Sequence, residues 1–524
     1  MADILREGDT CWRTAKADAL AFLVDGADYF AAVKAAMSGA RRSIWLLAWV
    51  FDPLTRLAPD HAGRSGDPRT ADRLGLLLRR MAALNPALDV RILAWDMPFP
   101  INASQLFAPQ RAMAEFMGSK VDFRLDSTLP ASACHHQKVL VIDGRLAFVS
   151  GGDLGADRWD TCDHVDHDPR RRLPNLRSYP ARHDVSVMLE GPAARDCARL
   201  FADRWASAGA GHLDVPEADF SVESPWPASV TPDLIGHAVS LVRTHPGWKA
   251  EPEVMEGLRL HLAAIASARR CIYLENQYLT APTIVAALSR RLAEADGPEV
   301  VVIGPANSAS FFDRLAMDSA RMAAIDALTA ADAHGRFRAF SAHTSAGEAI
   351  IVHSKVTIVD DRFLRVGSAN LNNRSAGLDT ELDLAFEAEP GPAGEAARET
   401  IETFRNLLVG HYLGRSLPET EAAIARTTSL AAAIDLLDLA SRRLKPVEAR
   451  PLGPIERFIS AWSLGDPVAP SDAWRPWVRR RRLRTQLEMI PPAPEPSPPA
   501  PPPAADGPTP SGRAGRRAIR SPSS

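Results

Sequence analysis

Cysteine is scarce in this 524-residue sequence. The five present, Cys11, Cys134, Cys162, Cys197 and Cys271, are odd in number and lack zinc-type spacing, which argues against a disulfide framework. Cys134, two residues before a histidine, reads as a small buried filler and not as a nucleophile. An excess of charge of one sign is also missing: the formal net charge is −3, so the chain has no global attraction to nucleic acid and any anion preference must be local. Long hydrophobic runs are absent. The most apolar early run, residues 44–51, is far too short to span a bilayer, and residues 1–16 are charged throughout, without the apolar core of a signal peptide. The expectation is a cytoplasmic or peripherally membrane-associated protein, with leaderless secretion left open. Oligomeric state has no sequence signal.

The sequence does contain two short stretches that say nearly the same thing. His136-Gln-Lys138-Val-Leu-Val-Ile-Asp143 and His353-Ser-Lys355-Val-Thr-Ile-Val-Asp360 both read His-x-Lys-x-x-x-x-Asp, with a β-branched or apolar run of buried-strand composition between Lys and Asp. Strand geometry points His136 and Lys138 the same way, and likewise His353 and Lys355. Residues 136–154 and 353–371 align without a gap, and 40–46 (Ala-Arg-Arg-Ser-Ile-Trp-Leu) matches 268–274 (Ala-Arg-Arg-Cys-Ile-Tyr-Leu). Two landmarks in the same order indicate an internal duplication. A site using both motifs lies between the halves.

With 46% apolar residues, the chain can bury a core for two domains or two fused half-domains. Helices are predicted over 27–39, 70–83 and 112–117, and strands over 43–51, 89–95 and 121–125. This alternation points to βαβ units around a largely parallel sheet. Asp143-Gly144 between two apolar runs is a hairpin signal, so Asp143, and Asp360 by analogy, reads as a turn residue that contributes to chemistry indirectly. A helix over 191–205 closes the first half. Residues 214–253, rich in Pro and Ser, read as a connection with some structure of its own.

The second half repeats the pattern. Helices are predicted over 256–268, 283–295, 310–329 and 395–408, strands before Glu275 and over 299–303, and one further helix over 420–443. The Pro, Ala and Ser tail at 491–524 cannot bury a core and is expected to be disordered. The resulting division is 1–213, 214–255, 256–415, 416–490 and 491–524. The polar stretch Cys162-Asp-His164-Val-Asp-His167-Asp168 invites a metal reading, but its spacing fits no standard zinc pattern, and a solvated loop rimming the site is the reading adopted. The cationic run at 479–482, beside Trp474 and Trp477, reads as a solvated face that also admits docking to an anionic lipid surface.

Two His and two Lys converging from two halves suit a phosphodiester. Lysines hold non-bridging oxygens and neutralise developing charge, so no metal or other cofactor is required. With an unperturbed pKa of about 6.5, one imidazole can be a neutral nucleophile while the other is a protonated acid. Attack on phosphorus gives a phosphohistidine, which water or another alcohol then resolves. Each imidazole needs a carboxylate on its far nitrogen to fix the tautomer. Asp184 and Glu381, at corresponding places ahead of each closing helix, are the candidates.

These residues resemble the phospholipase D superfamily over about residues 20–470. The carriers are His136-x-Lys138-x4-Asp143 and His353-x-Lys355-x4-Asp360. With them stand Gly-Gly-Asp153-Leu with Arg158-Trp159-Asp160, His183-Asp184-Val185, Glu275-Asn-Gln277-Tyr278, Gly-Ser368-x-Asn370 and Glu381. The Gly-Gly-Asp-Leu and Glu-Asn-Gln-Tyr pieces resemble the phospholipase D branch more than the nuclease or cardiolipin synthase branches. The resemblance implies an α/β fold of two duplicated α-β-α sandwich lobes related by a pseudo-twofold. It implies hydrolysis of phosphatidylcholine-type lipids at a membrane surface to phosphatidate and a free headgroup, with transfer to alcohols as a further capacity. It further implies His136 as the nucleophile, His353 as the acid, and Asp153, Gln277, Ser368 and Asn370 as supporting or phosphate-binding residues. The chain lacks room for the N-terminal lipid-binding modules of larger eukaryotic relatives, and lacks the N-terminal membrane spans usual in bacterial cardiolipin synthases.

Overall fold

The computed structural model describes residues 3–59, 72–218, 221–308, 314–439, 442–448, 450–463, 465–472 and 475–492. The tail expected to be disordered lies, from residue 493 on, outside the described residues, as does Trp474. In the first half the strands are β1 (Arg13–Val24), β2 (Ser43–Ala48), β3 (Asp89–Trp95), β4 (Asp122–Asp126), β5 (Val139–Ile142), β6 (Leu146–Ser150), β7 (Arg182–His183) and β8 (Val185–Glu190). The second half supplies β9 (Leu234–His245), β10 (Val254–Met255), β11 (Cys271–Glu275), β12 (Glu299–Gly304), β13 (Phe337–Ala342), β14 (Ile351–Val352), β15 (Val356–Val359), β16 (Phe363–Gly367) and β17 (Glu381–Glu387). β18 (Leu444–Pro446) follows them.

One sheet runs through both halves in the order β4-β3-β2-β5-β6-β8-β1-β9-β17-β16-β15-β11-β12-β13, with β18 added at the last edge. Read from either end, the order has the same connectivity, with β1 matching β9, β8 matching β17, β5 matching β15 and β2 matching β11. The pseudo-twofold therefore passes between β1 and β9, which pair antiparallel from Arg13 opposite Leu241 to Leu20 opposite Leu234. A largely parallel sheet was the expectation. Parallel pairing is confined to the flanks, β2-β3-β4 and β11-β12-β13, and the middle is antiparallel because hairpins and direct returns, not helical crossovers, join its strands.

Both faces of the sheet are covered, which is why the strands read as near-continuous apolar runs. In β2, Trp45 and Leu47 face one core while Ile44, Leu46 and Ala48 face another; in β11, Tyr273 joins the first core and Ile272 and Leu274 a third. Helices Pro192–Ser207 and Glu395–Leu413 pack on the shared core. Pro192 stands at the first helical position after Gly191, whose φ of 108° and whose closeness to Asp18 leave no room for a Cβ.

Helices Asp25–Ser38 and Glu256–Ser267 lie on the opposite face. The single helix expected over 420–443 is two, Leu417–Thr427 and Leu430–Asp438. Thr428 turns left-handed at φ 55° and the Ser429 hydroxyl caps the next helix at Ala432 N. No described helix is long and apolar enough to cross a membrane. Nor is the cationic run wholly a solvated face: Arg479 is buried, donating to the Trp462 and Ser463 carbonyls, and Arg480 stacks over the Trp462 ring.

Asp143 and Asp360 close the two motif hairpins at φ 55° and 56°. The Asp143 carboxylate accepts from the backbone N–H groups of Arg41, Arg42 and Ser43 at 2.7–3.2 Å, and Asp360 does the same for Arg269, Arg270 and Cys271. Each motif aspartate thus ties its hairpin to the start of the neighbouring strand. Asp143→Ala and Asp360→Ala are each expected to cost about 2–4 kcal/mol by stranding buried donors. Denaturant unfolding measures this, and a stability unchanged from wild type would remove the tie as a structural element.

Candidate functional site

The motif His and Lys do not lie within strands. They occupy extended segments just ahead of β5 and β15, and each segment is stitched to the other half. His135 bridges Thr380 in parallel, with His136 N donating to the Thr380 carbonyl. β14 pairs with β7, with His353 N donating to the His183 carbonyl at 2.8 Å. Thr380 and His183 each precede a candidate acid, so these bridges carry the acids across the pseudo-twofold. Glu381 Oε2 lies 2.9 Å from His136 Nδ1, and Asp184 Oδ2 lies 2.8 Å from His353 Nδ1. Each imidazole is oriented by a carboxylate from the opposite half.

The carboxylates are fixed in turn. Glu381 accepts from the Ser368 hydroxyl at 2.5 Å and the Ser375 hydroxyl at 2.7 Å. Asp184 accepts from Val185 N at 2.9 Å, and Gly151 and Gly152 lie so close to its two oxygens that a Cβ at either would collide with them. The glycine pair is thus a packing requirement of the acid beside it. Ser354, in the second motif, donates to Glu275 at 2.6 Å, and Glu275 also holds His183.

A cavity of about 550 Å³ opens between the halves. Its wall includes His136, Lys138, Asp153, Gln277, His353, Asn370 and Glu381. Lys138 Nζ donates to the His136 carbonyl at 2.6 Å and lies 3.6 Å from Asp153, whose other oxygen accepts from Trp49 N. Asn370 Oδ1 is buried without a hydrogen-bond partner. Lys355 is fully buried behind His353, 3.0 Å from its Nδ1, and Ser368 and Asp184 sit behind the wall with it. Asp143 and Asp360, carried by the motif as catalytic, do not reach the cavity and act on the backbone.

Arg158 and Arg182 also line the cavity, both paired with Asp157, at 2.5 Å and 3.3 Å. Sequence reasoning gave neither a role. Their only signal is adjacency, Arg158 to Trp159-Asp160 and Arg182 to His183-Asp184. Trp49 and Trp95, stacked 6.0 Å apart, form an aromatic wall that nothing in the motif spacing indicates.

Burial dominates the titration of the site. It raises Glu381 to about 8, against Lys138 and the two hydroxyls, and it lowers His136, with Lys138 and Lys355 acting in the same direction. Burial likewise lowers His353 and raises Asp184, and it brings Lys355 down to about 7 although Asp184 opposes the shift. Neutral imidazoles beside cationic groups in a low-dielectric cavity favour an anionic ligand and an imidazole nucleophile.

The family model described as "Cardiolipin synthase, PLD-like domain" matches residues 261–408. Phospholipase D A of Dictyostelium discoideum is 26% identical over 442 residues, covering 69% of this chain and 32% of its own length. Phospholipase D alpha 1 of Carica papaya is 24% identical over 516 residues, covering 72% of this chain and 63% of its own. The chain is thus similar to proteins of the phospholipase D superfamily, and its residues 261–408 match a PLD-like domain. It spans about a third of the Dictyostelium protein's length, so the larger protein's activity does not transfer with the match. Phosphatidylserine synthase from Haemophilus influenzae aligns at a TM-score of 0.48 and 15% identity over 82% of this chain and 96% of that one.

A cavity walled by Lys138, Arg158 and Arg182 should bind a tetrahedral oxyanion. Orthophosphate or tungstate is expected to raise the thermal midpoint, reaching about 2.7 kcal/mol of stabilisation at a hundredfold excess over Kd, and Lys138→Met should lose most of the shift. No shift with the unaltered protein would reject the cavity as an anion site.

Proposed function

We propose that this protein is a phospholipase D: it hydrolyses glycerophospholipids of the phosphatidylcholine type to phosphatidate and a free headgroup through a phosphohistidine. The observation that carries the reading is the crossed pair of imidazole–carboxylate contacts at one cavity, His136 with Glu381 and His353 with Asp184. With Nδ1 of each ring turned to a carboxylate, Nε2 is the atom left for chemistry. His136 Nε2 attacks phosphorus and forms the P–N bond as the headgroup P–O bond breaks, and His353 gives its proton to the leaving oxygen. Water enters, loses a proton to His353 and displaces the imidazole from phosphorus. Lys138, Arg158, Arg182 and Asn370 face the phosphate. Gln277 joins them, while Asp153 and Ser368 act through Lys138 and Glu381.

The lobes of this enzyme are taken as 1–213 and 256–415, joined by 214–255 and followed by 416–490. Its partner is a phospholipid surface, approached peripherally. Phe99 and Phe107 support this: they are 73% and 45% exposed beside Pro98 and Ile101 of the cavity wall, in a position to enter the interface while the phosphate enters the cavity. An alcohol can replace water as acceptor, since nothing in the chemistry distinguishes their hydroxyls. The description of the matched family model supports this phosphatidyl transfer as the second reading.

Purified protein incubated with mixed phospholipid vesicles and ethanol, followed by mass spectrometry of the lipids, tests the reading. Phosphatidate and phosphatidylethanol should form, and His353→Ala should slow both by about 10²–10⁴-fold, while His136→Asn should abolish them. Unchanged lipids with the folded protein would reject it.

Glu381 adds a pH signature. Through neutral pH the His136–Glu381 pair holds a proton on the carboxyl as well as one on the ring. When Glu381 ionises at about 8, its carboxylate takes the Nδ1–H and frees the Nε2 lone pair. The rate of phosphohistidine formation should therefore rise with pH towards about 8 and level above it. Rapid-quench measurement from pH 6 to 9 checks this; a rate falling over that range would overturn the assignment.

A further inference from the structure

Behind the second motif, on the far side of His183 from the cavity, Asp25, His164, His183 and His411 converge. Their ligand atoms all lie within 4.8 Å of one another. His164 Nε2 is 3.1 Å from His411 Nε2 and 3.7 Å from Asp25 Oδ2, and His411 Nε2 is 3.2 Å from Asp25 Oδ2. His183 Nδ1 is 2.9 Å from Asp25 Oδ1. A tetrahedral zinc with bonds of 2.0–2.1 Å separates its ligand atoms by about 3.3 Å. We propose that these four residues form a binding site for one divalent first-row transition metal of the zinc type, which braces the segment carrying Asp184.

The outer contacts set the tautomers. His164 Nδ1 faces Asp160 Oδ2 at 3.0 Å, and His183 Nε2 faces Glu275 Oε2 at 3.1 Å. A carboxylate accepts, so those nitrogens carry hydrogen, and the opposite nitrogens, His164 Nε2 and His183 Nδ1, present lone pairs to each other's neighbourhood and to Asp25. Lone pairs and a carboxylate aimed at one point repel unless a cation sits there. This is also the arrangement in which a carboxylate on the outer ring nitrogen strengthens a metal-bound histidine.

Hydrogen bonding satisfies only part of the cluster, through the contact of His164 Nε2 with His411 Nε2 at 3.1 Å. Asp25 Oδ2 and His183 Nδ1 are both buried without a hydrogen-bond partner, although each lies at ion-pair distance from the other group. The atoms are close but not aligned for a shared proton. Charge gives the same answer. Arg171 pairs with Asp160 at 2.9 Å, which leaves Asp25 and Glu275 as two buried carboxylates facing three imidazoles, and a divalent cation neutralises them. Three imidazoles and one carboxylate are a donor set for zinc, cobalt or nickel and not for calcium or magnesium.

The duplicated fold does not require this cluster. The second half carries Glu256 at the start of the matching helix and Thr380 in the place of His183, so the cluster is not repeated across the pseudo-twofold and one ion per chain is expected. Asp25 itself is held at φ 67° while 1% exposed, a conformation that a non-glycine residue keeps only when its surroundings impose it. His411 borders a surface pocket with Cys162, Asp166 and Arg443, which gives an ion a route in. His164 is itself buried, so the 162–168 stretch, read from sequence as a solvated loop, turns inward at this residue to supply a ligand.

The full chain, purified through a tag without histidine, should contain about one zinc-type ion per molecule by elemental mass spectrometry. Stripping with dipicolinate should lower the thermal midpoint and added Zn²⁺ restore it. Replacement by Co²⁺ should give the visible absorption of a four-coordinate ion. His411→Gln, at the solvent edge of the cluster, should reduce metal content about tenfold or more while retaining the circular dichroism of the folded protein. If that variant fails to fold, the stripping and cobalt measurements on the unaltered chain decide the matter. Less than about a tenth of an ion per chain, with no midpoint shift on adding Zn²⁺, Co²⁺ or Ni²⁺, would overturn the site. The cluster would then be a protonated His183 between Asp25 and Glu275.

Discussion

Leu20 lies opposite Leu234, and Arg13 opposite Leu241, across the middle of the sheet; this pairing of β1 with β9 is the constraint from which the site follows. It joins two half-sheets edge to edge about a pseudo-twofold, so the carboxyl-side loops of both halves meet over one seam. A sheet that continues through the seam buries the two edges that separate halves would expose. It also fixes the distance between the halves to that of neighbouring strands. Only then can His353 N reach the His183 carbonyl at 2.8 Å and the Glu381 side chain reach His136 at 2.9 Å. Rotation of one half against the other would break the crossed contacts and the strand ladder together.

Crossing the acids has an electrostatic consequence. Buried carboxylates, lysines and imidazoles tolerate one another only as a balanced set. Glu381 sits between Lys138 and the Ser368 and Ser375 hydroxyls, and Asp184 sits between Lys355 and the glycine pair. Each half therefore supplies a cation beside its own histidine and a carboxylate for the other's. Neither half alone presents an oriented imidazole, and the duplication is a condition of the chemistry.

The motifs were legible because chemistry constrains them tightly: His-x-Lys-x4-Asp twice, with the acids ahead of the closing helices, located both histidines, Lys138 and both orienting carboxylates. The turn signal at Asp143-Gly144 also told where the aspartate would go, since a left-handed residue between two strands favours Asp followed by Gly. What was not legible was the centre of the sheet. β1 carries Arg13, Lys16 and Asp18, and β9 lies in a Pro- and Ser-rich stretch. Both are only partly buried along their length, so neither shows the continuous apolar run that marked β2 or β5. Their identity is set by pairing with each other, a long-range fact without local pattern. The same holds for Arg158 and Arg182, 24 residues apart and joined through Asp157, and for the His164–His411 contact, whose residues are 247 apart.

Duplication predicts equivalence of the two histidines, and the structure departs from it in a consistent direction. The His136 side chain is 17% exposed and His353 9%. Glu381 behind His136 is held by two hydroxyls and is the acid that burial raises to about 8. His353 instead has Lys355 against its Nδ1 and Arg182 and Arg158 nearby, all of which disfavour a further positive charge on the ring. In the proposed reaction, the ring that accepts phosphorus needs access and a lone pair on Nε2, and the ring that passes a proton needs a partner to take the charge when the leaving oxygen departs. Access lies with His136. The cations around His353 favour its neutral form, as Lys138 and Lys355 favour that of His136. The two halves thus start from one template and diverge through the groups behind each ring, and the proposed division of roles between the two histidines rests on that divergence.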